Sequence, residues 1–195
     1  MNSFIVDDRI RAVKAFLTTS PNYTKPHANH PKFSTAIFKA VKNAYERAAR
    51  EGWGTIYWAV DLHDTVIMPS YQPGIIGQSY PFALDTLYWL LSFPETGIIL
   101  WSSMSKEELA RHRSVLFEGV ADHEVRVFLN ENPDIGATRY ANFDQKMYFN
   151  MLLDDKAGFD HTTDWQLIQE AVNYYRPRNI DRMISDEFIE VTEHA

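Results

Sequence analysis

Apolar positions along this chain switch between two spacings, and the switches mark its elements. Residues 3 to 18 place Phe4, Ile5, Ile10, Val13, Phe16 and Leu17 at roughly helical intervals, which predicts a first helix. "TTSPNYTKPHANHPKFS" interrupts that spacing with prolines and polar residues and reads as a loop. Helical spacing resumes through "TAIFKAVKNAYERAAREG", with Ser34 placed to cap the helix and Gly52 to stop it. "TIYWAVDL" then packs β-formers into a nearly unbroken apolar run, the signature of a buried strand.

The same signals recur downstream. "FALDTLYWLLSF" predicts a helix and "TGIILWSS" a second buried strand. "SKEELARHRSVLFEGV" opens with Ser105 followed three residues later by Glu108, a capping-box start to a further helix. "HEVRVFL" reads as a third strand, "KMYFNMLLDD" contains a fourth, and "DWQLIQEAVNYY" closes with another helix. "MPSYQPGIIGQSYP" and "NENPDIGATRYANFD" are loops, and the tail from Arg176 is acidic. Strands alternating with helices predict an α/β fold: a Rossmann-like, three-layer parallel sheet with right-handed crossovers. Residues 1–53 are expected to form an N-terminal helical extension packed on a domain of residues 54–195, the whole a single globular unit.

Composition narrows the function classes. The chain has 195 residues, 45% of them hydrophobic, which suits one domain with a substantial core. A net charge of −7 argues against a general nucleic-acid surface or an anionic-membrane surface. The absence of cysteine excludes disulfides and thiolate metal ligands. "MNSFIVDDRIRAVKAFL" carries acids inside its apolar stretch, so neither a signal peptide nor a membrane span is expected, and the cytoplasm is the expected location.

In parallel α/β sheets ligands bind beyond the carboxyl ends of the strands. Asp61, His63 and Asp64 follow the first strand, Ser102 and Ser103 the second, and Asp154 and Asp155 the fourth. Singly, each is ordinary turn chemistry. Jointly, they place acids and hydroxyls on one rim.

Three clusters in fixed order, "VDLHDTV", "IILWSS" and "NMLLDDKAGFD", with Lys146 ahead of the last, resemble the haloacid dehalogenase-like (HAD) superfamily. The resemblance covers about residues 54 to 175 and implies a magnesium-dependent phosphatase working through an aspartyl-phosphate. Asp61 and Thr65 match the first motif, and Asp61 would be the nucleophile. Ser102, with Ser103 beside it, matches the second; Lys146 matches the third. The Ser102 hydroxyl and the Lys146 ammonium would hold phosphoryl oxygens. Asp154 and Asp155 match the acid pair of the fourth motif. Mg²⁺ would be taken by Asp61, the backbone carbonyl of His63, Asp155 directly, and Asp154 directly or through water. Lys156, in the same loop, could assist, although a lysine so placed is more often only solvated.

This chain departs from the pattern at His63, where family phosphatases carry the general-acid aspartate. An imidazole with an ordinary pKa near ~6.5 can donate and accept a proton around neutrality, so it can replace that aspartate. The opposing view is that a nearby Mg²⁺ disfavours imidazolium and leaves a poor acid. The runner-up reading is therefore a catalytically silent HAD-like module that binds a phosphorylated ligand or a protein partner. Asp64 stands where the family usually has a small residue. No large cap domain fits between the motifs, and the resemblance implies that a capless member acts on a large substrate or takes a lid from elsewhere; the expected partner is a phosphorylated small molecule or the phosphorylated end of a larger substrate. A lid could come from a second subunit of a homo-oligomer or from the N-terminal extension. Tyr71, Gln72, Tyr80 and Trp101 are candidates for the pocket mouth, and Arg113, Arg126 and Arg139 for substrate contacts. His27, His30, His112 and His123 lack defined partners in the sequence.

Overall fold

The computed structural model describes residues 31–70, 75–118, 126–137, 139, 141–143 and 146–176. The expected helix at 3–18, the acidic tail beyond Arg176, and Tyr71, Gln72, His27, His30 and His123 lie outside them. After a 3-10 turn at Pro31–Ser34, helix α1 spans Ala36–Glu51. Its cap is Thr35 and not Ser34: the Thr35 hydroxyl accepts from the Phe38 N–H at 3.3 Å and donates to the Lys32 carbonyl at 2.8 Å. Gly52 ends α1 in the left-handed region, φ +66°, and returns its N–H to the Ala48 carbonyl.

Strand β1 follows at Ile56–Asp61, helix α2 at Ala83–Leu91 and strand β2 at Thr96–Trp101. Helix α3, Lys106–Leu116, begins as its sequence predicts, with the Ser105 hydroxyl accepting from the Glu108 N–H at 3.2 Å. Strands β3, Val127–Leu129, and β4, Met151–Leu153, are shorter than the apolar runs that contain them, and residues 164–176 form helix α4. Side chains end the pairing early. Ahead of β4, the Asn150 side-chain oxygen accepts from the Tyr57 N–H at 2.8 Å; after it, the Asp154 carboxylate accepts from the Lys156 N–H at 2.8 Å and starts a 3-10 turn.

The four strands pair in the order β3-β2-β1-β4, all parallel. Successive strands run outward from β1 to β3, and the chain then returns to the opposite side of β1. That reversal makes the β1–β4 boundary the topological switch point, where a crevice opens beyond the strand ends.

The sheet's two faces are unequal. Ile56, Trp58, Val60, Ile98, Leu100, Val127, Met151 and Leu153 share one core cluster with residues of all four helices, among them Phe38, Leu87, Leu109 and Trp165. The helix α1 inside the expected N-terminal extension thus belongs to the main core. One step out of phase, Tyr57, Ala59 and Ile99 are also buried but belong to the other face. The described residues between Asn130 and Asn150 lie over that face: the Tyr57 hydroxyl donates to Asp134 at 2.9 Å, and its ring meets Tyr148 edge-on at 6.3 Å. Gly97 pairs with Tyr57, and a Cβ there would come 2.8 Å from the tyrosine ring, so glycine is required. The layer over this face is therefore irregular chain among the described residues, the loop that "NENPDIGATRYANFD" predicts, and not the helical layer of a regular three-layer sheet. Pro133, Gly136 and the side-chain bonds of Asn132 to the Tyr148 carbonyl and the Asp134 N–H explain why. No helix of the described residues is long and apolar enough to cross a membrane.

Candidate metal and phosphoryl site

Asp61 is the last residue of β1, and Asp154 follows β4, whose Leu153 pairs with Val60. Register alone sets the two acids side by side at the switch point. One carboxylate oxygen from each of Asp61, Asp154 and Asp155 lies within 4.8 Å of the others. Thr65 joins them from below. Its fully buried hydroxyl lies 3.4 Å from Asp61 Oδ2, to which it donates, and accepts from the Asp155 N–H at 3.1 Å. The Trp165 indole N–H, from α4, donates to the Thr65 carbonyl at 3.1 Å. The strand end that carries Asp61, the loop that carries Asp155 and helix α4 are thereby tied through one threonine.

The turn after β1 is tight. Val66 and Ile67 both return their N–H groups to the Leu62 carbonyl, at 2.8 and 2.9 Å, and all three side chains are fully buried. Asp64 closes the turn at φ +60°, a left-handed conformation that aspartate tolerates better than most residues. Its carboxylate accepts weakly from the Tyr80 hydroxyl at 3.4 Å, and Tyr80 stacks on His161 at 3.7 Å. Asp64 thus has a backbone role sufficient to explain it.

Burial pushes the Asp61 carboxyl up from its ordinary value to about 6; the Leu62 N–H opposes the rise, Asp154 and Asp155 add to it, and Lys156 offsets part. Acids crowded in this way with hard oxygen donors suit a divalent cation such as Mg²⁺. Lys156 already supplies one positive charge, its ammonium 3.0 and 3.1 Å from the two Asp155 oxygens. Lys146, the residue expected for this purpose, is not among the principal charges acting on Asp61. It lines a cavity over the second face of the sheet.

Ser102 stands just past β2, one strand from Asp61, and Ser103 beside it is exposed. Asn130 holds this rim. It takes a left-handed φ of +52°, accepts from the Ser102 N–H at 2.8 Å and donates to the Ser102 carbonyl at 2.7 Å. Sequence reasoning missed Asn130, although an asparagine directly after an apolar strand is a recognised left-handed stop. The Ser102 hydroxyl accepts from the Met104 N–H at 3.4 Å, a bond weak enough to exchange for another donor or acceptor.

His63 meets a partner that the sequence did not reveal. Its ring is edge-on to His112 at 6.0 Å. His112 is buried on α3, with Nδ1 2.9 Å from the Glu108 carbonyl and Nε2 without a hydrogen-bond partner among the described residues. Burial, and then the neighbouring His112, hold His63 below the ordinary imidazole value. Arg126 is committed elsewhere: it donates to Thr55 at 2.6 Å and pairs with Asp134 near the amino end of β1. Arg113 lies on α3 and Arg139 is exposed in the 130–150 segment.

Comparison of the chain with protein-family models, curated proteins and solved structures finds no match. The functional reading therefore rests on the residues and their geometry.

Proposed function

We propose that the chain is a HAD-like phosphomonoester hydrolase that requires a divalent cation and forms an aspartyl-phosphate on Asp61. The observation that carries this reading is the convergence of Asp61, Asp154 and Asp155 within 4.8 Å, delivered from two adjacent parallel strands to a switch point. Mg²⁺ would be held by these three carboxylates and the His63 carbonyl, and when bound it supplies charge neutralisation for the phosphoryl oxygens. Asp61 attacks phosphorus, the bond from phosphorus to the leaving oxygen breaks, and His63 in its protonated form gives that oxygen a proton. Water then attacks the aspartyl-phosphate, passes its proton to the now neutral His63, and releases inorganic phosphate with Asp61 restored. Ser102 donates to a phosphoryl oxygen from the neighbouring strand end, and Lys156 contributes the cation nearest the acids.

One observation favours the second reading, a silent phosphate-binding module. The Lys156 ammonium occupies both oxygens of Asp155, the acid expected to meet the metal directly. Beryllium fluoride with Mg²⁺, as a phosphoryl mimic, separates the two in combination with turnover assays on a panel of phosphomonoesters. The hydrolase reading expects binding at Asp61, Mg²⁺-dependent release of phosphate, and loss of both in Asp61→Asn. Phosphate release that persists in Asp61→Asn refutes the covalent mechanism. Ligand binding with no turnover in the wild type establishes the silent module.

A further inference from the structure

The second face of the sheet carries a cavity of about 790 Å³ between the strands and the 130–150 segment. Trp101, Phe143, Met147, Phe149 and Leu152 supply its apolar wall. Two of these are large side chains left open on strands, Trp101 at 41% and Leu152 at 38% exposure. Their register places the cavity relative to the acids. Trp101 pairs with Asp61 across β1 and β2, and Leu152 pairs with Ala59 across β1 and β4. Paired residues of parallel strands face the same side, and Ala59 and Asp61 share that side by alternation. The cavity thus runs along the row of side chains that ends in Asp61.

Its polar groups are few. Asn130 is spent on the Ser102 backbone and Asn132 on the Tyr148 carbonyl and the Asp134 N–H. Glu131 is exposed, and Lys146 brings an ammonium that has no ion-pair partner among the described residues. The volume falls in the range of small-molecule sites, which combine apolar walls with a small number of orienting polar groups.

We propose that this cavity holds the leaving-group portion of the phosphomonoester, a planar and largely apolar ring system bearing an anionic substituent that meets Lys146. This assignment rests on the phosphohydrolase reading of Asp61. It gives Lys146 a role in choosing the substrate in place of holding the phosphoryl group. The aromatic wall receives the ring, the ammonium sets its orientation, and the phosphoryl end projects past Trp101 to Asp61.

The test uses 2-naphthalenesulfonate, which carries ring and anion but no phosphoryl group, and the full chain in calorimetry. Binding to the wild type is expected, with Leu152→Asp weakening it by about tenfold or more, since an acid in the floor repels both ring and anion. Lys146→Met is expected to weaken naphthalenesulfonate while leaving neutral naphthalenemethanol unaffected; this second variant keeps the test open if Leu152→Asp fails to fold. In turnover, the ratio of kcat/KM for a sulfonated naphthyl phosphate over methyl phosphate should fall in both variants. Hydrolysis of methyl phosphate with no binding of naphthalenesulfonate overturns the cavity assignment and leaves the hydrolase reading standing. Binding of naphthalenesulfonate with no hydrolysis of any phosphomonoester overturns the leaving-group role together with the hydrolase reading.

Discussion

Replacing Asp61 with asparagine removes a charge that the metal-free fold holds at a cost. The carboxyl rises from an ordinary 3.8 to about 6 on folding, so the folded chain binds this proton more tightly than the unfolded one. For this group stability is greatest below the unfolded value, declines as pH rises toward about 6, and carries the full penalty above it. A shift of about two units corresponds to about 3 kcal/mol at 1.36 kcal/mol per unit. Asp61 is only half-buried, and solvent screening roughly halves that figure, to about 1.5 kcal/mol. Asparagine does not titrate and still offers an oxygen to the Thr65 hydroxyl. In chelator at pH 8, Asp61→Asn should therefore be more stable than the wild type, with Tm higher by roughly 3–6 °C for a chain of this length. The difference should shrink through pH 6 and vanish near pH 4. Thermal and urea unfolding of both chains at these three pH values provide the assay. Adding Mg²⁺ at pH 8 should stabilise the wild type by mass action and have much less effect on the variant. A variant no more stable than wild type at pH 8, or a gap that widens on acidification, refutes the reasoning.

Two further substitutions probe the supports of the site. Thr65→Val keeps the shape but removes the buried hydroxyl between Asp61 and the Asp155 N–H; a loss of about 1–3 kcal/mol is expected in denaturant unfolding, with weaker Mg²⁺ binding by calorimetry. His63→Ala should slow hydrolysis of alkyl phosphates by about 10²–10⁴-fold and that of nitrophenyl phosphate far less, because only the poorer leaving group needs the proton. Equal losses on both would reduce His63 to a pocket-shaping residue.

Local order was legible in the residues. Caps and stops follow from short-range hydrogen bonding, so Ser105 with Glu108 and Gly52 behave as their sequence predicts. The shift from Ser34 to Thr35 shows the usual one-residue uncertainty when two hydroxyl residues adjoin. The apolar runs end at Asp61 and just before Asp154, and a charged residue that ends a buried strand must lie on the rim. That much needs only the period of the chain and the cost of burying charge.

What the sequence could not decide is which strand lies beside which. The order β3-β2-β1-β4 seats Asp154 next to Asp61, and no periodicity encodes that neighbour relation. The lengths of β3 and β4, the Asn130 bridge to Ser102, the Trp165 bond to Thr65 and the meeting of His63 with His112 likewise join residues distant in the chain. The division of labour between two lysines is the sharpest case. Motif order favoured Lys146 as the cation of the acidic site, whereas the short turn after β4 brings Lys156 onto Asp155 and the chain ahead of β4 carries Lys146 into the cavity beside Trp101 and Leu152. Hydrophobic spacing specifies which side chains turn inward, since each element must bury one face. It says little about where solvated charges go, because their positions follow from the packing of the elements that carry them.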